Sequence, residues 1–346
     1  MPPRPSGPRR TFVPRLEALD DRLCPAATAT QIGHTLVVLG DAAAADDVAV
    51  QFTGDGTADV FGITPPQDRP FSGVTHLVVK GRGGDDRVRV FMTGNTVSQP
   101  LTIQLDLGSG DDSADVNLAN FQAPTGQLVP VTIRANLRLF VQGGAGADGA
   151  AVRLGAVAGV RADVRARLGA GDDALDGFLM GGVGPDATGQ TGGLEAWDVR
   201  GGAEDDSLNL YTAAIDLGAK SRLVATLRGE AGDDTVAADM NVAVAPINPL
   251  PARLVPAPVQ LTLDGGDGAD SVLADLVLRT PQANPTGTYY QLAAALRGGA
   301  GDDDLWLTLD GGQDQKSSKA TVDGGLGTDL YVGPTGPGIR VLGVEE

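Results

Sequence analysis

A glycine-rich hexapeptide ending in aspartate recurs nine times between residues 81 and 329, and its spacing leaves the chain few ways to fold. The copies occupy 81–86, 107–112, 143–148, 168–173, 201–206, 229–234, 265–270, 298–303 and 324–329. Their final residues are Asp86, Asp112, Asp148, Asp173, Asp206, Asp234, Asp270, Asp303 and Asp329. Subtracting successive numbers gives steps of 26, 36, 25, 33, 28, 36, 33 and 26 residues. A step of about thirty residues suits one coil of a stacked repeat, in which a unit buries its apolar face only against its neighbours.

The residues around each hexapeptide give an independent check. Side chains on a strand alternate between faces, so a buried face must recur in fixed phase with the turn. Counting from the final Asp, the second, fourth and sixth residues are Val88, Val90 and Met92; Val272, Ala274 and Leu276; and Leu305, Leu307 and Leu309. Ahead of the turn the same alternation gives Leu137, Leu139 and Val141; Leu223, Ala225 and Leu227; and Val259, Leu261 and Leu263. This pattern predicts an all-β chain folded as a β-solenoid, a stack resembling a parallel β-helix with Gly-Asp turns. An antiparallel β-sandwich or barrel built from the same strands is the alternative.

A degraded tenth copy stands upstream, where Val37 and Leu39 precede residues 41–46 and Val48, Val50 and Phe52 follow. The predicted organisation is a basic leader at 1–28, a solenoid over 29–333 and a tail at 334–346. Within the solenoid, 29–73 form a degenerate capping repeat and 74–333 the nine repeats. Pro- and Gly-rich stretches such as 183–193, 245–258 and 281–290 read as surface loops between coils.

Composition narrows the chemistry. The 346 residues include 50 Gly and 22 Pro but only 4% aromatics, which argues against a helical domain. Of 44 acidic residues 38 are Asp, the residue that favours turns and caps over helix interiors. The net charge of −18 repels nucleic acid and anionic membranes and attracts cations. One cysteine, Cys24, gives no disulfide framework and no cysteine metal cluster. No run of about 18 apolar residues predicts a membrane span.

The pattern G-G-x-G-x-D-x-U-x is met closely at 298–305 and with small changes at 143–150, 265–272 and 324–331. On these residues the chain resembles the repeats-in-toxin (RTX, haemolysin-type) calcium-binding proteins. The resemblance implies Ca2+ as cofactor, several ions held by the nine final aspartates together with turn carbonyls. Physical chemistry points the same way. Glycine lets carbonyls converge, and calcium takes six to eight oxygens. Carboxylates stacked about 4.8 Å apart would repel by about 3 kcal/mol per pair at an effective dielectric near 20.

The chain also departs from that family. Family repeats run in tandem, whereas here one turn occurs per coil, so shared ions require turns stacked directly over one another. Leu107 and Leu168 replace the first glycine, Arg82 and Glu230 the second, and Glu204 the one at position four. The competing expectation is a tight solvated turn held by side-chain to backbone bonds, with no ion. Residues 15–26 resemble short N-terminal tags of large bacterial exoproteins and imply secretion or cell-surface display.

Catalytic signatures are sparse. His34 and His76 are the two histidines, and no phosphate loop or nucleophile elbow occurs. Phase places Trp197 in the core and Trp306 at the surface. The sequence therefore predicts an extracellular calcium-binding structural or adhesion-type protein rather than an enzyme, contacting carbohydrate or protein at the cell surface, with no nucleic-acid partner and no membrane insertion. The alternatives are a metal-free structural repeat and a polysaccharide lyase using the arginines at 87, 89, 134, 138, 153, 161, 165 and 167.

Overall fold

The computed structural model describes residues 27–123, 125–188, 191–218, 220–244, 259–279, 292–310, 318–336 and 338–345. The expected leader, except residues 27 and 28, and the loops expected at 245–258 and 281–290 lie outside these.

The described chain is all β, and each coil contributes one strand to each of two long sheets. The first sheet takes the strands that enter the turns, among them Leu137–Ala145, Arg161–Ala170, Leu194–Ala203, Arg222–Ala231 and Val259–Asp267. The second takes the strands that leave them, among them Gly149–Leu154, Ala174–Leu179, Ser207–Leu217, Thr235–Val244 and Ser271–Arg279. Neighbouring coils pair parallel and in matched register, with Leu139 beside Val164 and Leu263 beside Leu296. This is a β-solenoid, and parallel pairing between successive coils sets aside the antiparallel sandwich or barrel.

Register follows from burial. A slip of one residue would turn every apolar side chain outward, and the inward sets are almost fully enclosed. Val88, Val90 and Met92 are buried, as are Leu223, Ala225 and Leu227, in one continuous core cluster. Trp197, 2% exposed, is the bulkiest core side chain. It fits because Gly177 faces it from the second sheet, where a Cβ would collide with the indole ring and with Leu210.

The ends are closed differently from the middle. Thr28–Ile32 and Ala58–Phe61 pair antiparallel with the first-coil strands Thr35–Leu39 and Asp47–Phe52, which covers the N-terminal edges. At the other end Ile339–Leu342 adds a parallel strand beside Ser318–Leu326, so the stack continues past residue 333. Short parallel pairings link Thr96–Val97, Thr132–Ile133, Ala156–Ala158 and Val183–Gly184, forming a narrow third face in the N-terminal half. Val183 is fully buried there, so the stretch at 183–193 begins in that face and not in a surface loop.

Candidate functional site

The turns stack directly over one another and bring the nine final aspartates into one column. Each Asp stands two residues ahead of an inward-facing apolar residue, so the alternation that buries Val88 also turns Asp86 inward. All nine are between 1% and 3% exposed, and Asp46 of the N-terminal coil, at 6%, extends the column upstream.

Each carboxylate has a fixed partner. The amide of Asp46 donates to Asp86 Oδ1 at 2.8 Å, that of Asp86 to Asp112 at 2.7 Å, and that of Asp112 to Asp148 at 2.9 Å. The chain of bonds continues through Asp173, Asp206, Asp234, Asp270 and Asp303 to Asp329, every link between 2.7 and 3.0 Å. Nine rungs thus tie coils whose residues lie 25 to 40 positions apart. Buried amides need acceptors, and a carboxylate accepting from N–H makes a charge-assisted bond.

The second oxygen is treated differently. Oδ2 of all nine aspartates is enclosed without a hydrogen-bonding partner. Where glycine opens the hexapeptide, its Cα–H occupies this corner: a Cβ on Gly201, Gly229 or Gly298 would collide with Oδ2 of Asp206, Asp234 or Asp303. At Gly229 and Gly298 the same Cβ would also meet the first carbonyl of the next turn. A weak C–H···O contact is thus the neighbour that Oδ2 keeps.

Enclosure sets the proton affinity of the column. Loss of hydration raises the carboxyl groups of Asp148, Asp206 and Asp270 to about 7, and those of Asp86 and Asp173 to about 6. The donated amide bonds oppose this rise, and neighbouring carboxylates add to it. Asp112, Asp234 and Asp303 shift upward for the same leading reason.

A second ladder runs outside the first with the opposite polarity. The amides of Asp111, Asp205 and Asp233 donate back to the carboxylates of Asp85, Asp172 and Asp205 one coil earlier. Ala147, Ala269 and Thr328 lack a carboxylate at this position and only donate, to Asp111, Asp233 and Asp302. These outer carboxylates are exposed.

Calcium is the cofactor that the repeat implies, and it takes six to eight oxygens. Each inner carboxylate commits one oxygen to an amide and encloses the other. Among the described residues no group of three or more His, Cys, Asp or Glu is placed to hold a metal.

Glycine φ values explain the turn. Positions two and four are left-handed or more extended at positive φ, as at Gly144 (130°) and Gly146 (128°). Arg82, Glu230 and Glu204 hold positive φ at these positions without being glycine, at 86°, 88° and 73°. Glu204 Oε2 accepts from Gly171 N–H at 2.7 Å, and Glu230 meets Arg200 at 3.2 Å, contacts that offset part of the strain.

The arginines expected as one patch are divided between opposite faces. Arg87, Arg89 and Arg153 lie on the second sheet, where Arg89 meets Asp47 and Arg153 meets Asp115. Arg138, Arg165 and Arg167 lie on the first sheet, Arg161 is held by Asp163, and Arg134 stands exposed beyond the short strand Thr132–Ile133. His34 bonds Gly73 O and His76 bonds Thr75 Oγ1. Trp306, 45% exposed, stands in register with the exposed Leu273 and Val332.

One group escaped sequence reading. Glu195 is fully buried in the core and accepts a bond from Trp197 Nε1 at 2.9 Å, with Oε2 unpartnered. Loss of hydration raises its carboxyl to about 8. Its inward phase with Trp197 was the available signal.

Comparison with protein families, curated proteins and solved structures finds no match for this chain.

Proposed function

We propose that the chain is a structural repeat protein of the cell surface or extracellular space, built on turns diverged from the RTX type and held together without metal. The observation that carries this reading is the unbroken inner column, in which amides do what ions would otherwise do. A carboxylate that accepts an amide proton from the adjacent coil fixes turn over turn directly. Burial raises the proton affinity of Asp148, Asp206 and Asp270 most, which eases the repulsion between neighbouring carboxylates. Extracellular placement rests on the N-terminal string at 15–26 and on the strongly acidic surface. Adhesion or display would use the long outer faces of the two sheets.

A second reading, stiffening by calcium, draws support from the outer ladder. Asp172, Asp205 and Asp233 stand exposed on three successive coils, each about 4.8 Å from the next, which concentrates negative charge along a line. Melting of the chelator-treated chain with and without millimolar calcium separates the two. An unchanged melting temperature supports the metal-free scaffold. A saturable rise of many degrees would overturn it in favour of calcium.

A further inference from the structure

On the first sheet, ion pairing leaves several arginines over, and three of them stand close together. Arg161, Arg200, Arg228 and Arg297 each meet a carboxylate, at Asp163, Glu230, Asp198 and Asp264. Arg138, Arg165 and Arg167 are exposed and have no ion-pair partner among the described residues. Register brings them together: Arg138 stands beside Asp163, two residues before Arg165, and Arg167 lies two residues further on. Two residues along a strand span about 7 Å, and adjacent coils lie about 4.8 Å apart. The three guanidinium groups therefore form one positive cluster on a chain of net charge −18.

The surroundings keep this cluster available. The carboxylates nearest in register, Asp163 and Asp198, are already bound to Arg161 and Arg228. The Arg165 guanidinium lies 5.7 Å over the Phe140 ring, which supports the side chain on the sheet surface. The face is open and extended.

We propose that Arg138, Arg165 and Arg167 form a binding site for a linear acidic polysaccharide, a chain carrying carboxylate or sulfate groups on successive sugars. Guanidinium groups bind such oxyanions with paired N–H donors. An extended chain lying along or across the strands meets all three. Nucleic acid suits the face less well. Single-strand binding needs bases stacked on free aromatic rings, and Phe140 is half-buried with its face taken by Arg165. Three contacts are also few for a duplex, given the charge of the whole chain.

The test uses the full chain with polygalacturonate, dextran sulfate, neutral dextran and single-stranded oligo-dT as probes, in low and in physiological salt. The proposal expects binding to one or both acidic polysaccharides, none to neutral dextran, and weakening with salt. A triple Arg138→Ser, Arg165→Ser, Arg167→Ser variant should lose at least ten-fold in affinity at an unchanged melting temperature. Arg87→Ser, on the opposite face, should bind as wild type. Absence of binding to both acidic polysaccharides, equal loss in the Arg87 variant, retained affinity in the triple variant, or tighter binding of oligo-dT would each overturn it. If the triple variant melts early, the single Arg167→Ser variant decides, with a several-fold loss expected.

Discussion

The backbone amide of Asp206 donates to Oδ1 of Asp234 at 2.8 Å, across 28 residues of chain and one step of the stack. The same Asp206 accepts from the amide of Asp173 at 2.9 Å, so each residue from Asp86 to Asp303 is donor to the coil after it and acceptor from the coil before. Coil order is thereby written into hydrogen bonds as well as into apolar burial.

This arrangement makes the aspartate replaceable by its amide. Asp206→Asn keeps an oxygen for the Asp173 amide and removes a buried charge, so its melting temperature at pH 7.5 should equal or exceed that of wild type. Asp206→Ala leaves the Asp173 N–H buried without an acceptor, which costs about 1–3 kcal/mol. If the carboxylate instead held a metal ion, Asn and Ala would both be damaging. Thermal melts of the two variants side by side distinguish these outcomes.

Stability should rise as the solution is made mildly acidic. The folded carboxyl groups of Asp148, Asp206 and Asp270 sit near 7, above the usual 3.8, so between these values the folded chain binds more protons than the unfolded one. Their contribution is fully present below about pH 4 and is lost as pH rises through 6 to 7. A melting temperature that increases from pH 8 to pH 5 is expected. Ordinary and ion-paired carboxylates titrate below this interval, so a fall between pH 8 and pH 5 would contradict the burial of these groups.

Glu195 adds a separate step at higher pH. Its carboxyl is raised from the usual 4.5 to about 8 by burial, so the neutral form is the folded one and stability declines as pH passes through about 8. Glu195→Gln preserves an acceptor for Trp197 Nε1 and cannot ionise. Between pH 7 and 9.5 the wild-type melting temperature should fall further than that of the variant. Parallel curves would show that Glu195 is not the group responsible.

Much of this architecture was legible in the chain. The recurrence at 25 to 36 residues gave the coil, and the phase of Val88, Leu208 or Leu305 against the turn gave the buried face. The same phase also held the orientation of the aspartates, because Asp86 is two residues ahead of Val88 and shares its side of the strand. Glycine-rich sequence draws attention to carbonyls and ions, whereas it is the stacking of coils that brings each carboxylate to an amide in another coil. The split of the arginines was hidden for a different reason. Arg153 and Arg165 are 12 residues apart in sequence but lie on opposite sides of the stack, since the chain passes from one sheet to the other between them.

Where the turn departs from glycine, backbone strain gives a last measurable quantity. Arg82 sits at φ 86° with its side chain exposed and without an ion pair among the described residues, so the left-handed penalty of about 1–2 kcal/mol has little to offset it. Arg82→Gly removes that penalty but adds freedom to the unfolded chain worth about 0.5–1 kcal/mol, leaving a net gain of roughly 0.5–1 kcal/mol. Glu204→Gly relieves a similar φ of 73° yet deletes the bond from Gly171 N–H, so it should gain nothing. Denaturant titration of both variants should show a higher midpoint for Arg82→Gly alone. Equal midpoints would mean that the Glu204 carboxylate contributes no stability where it meets Gly171.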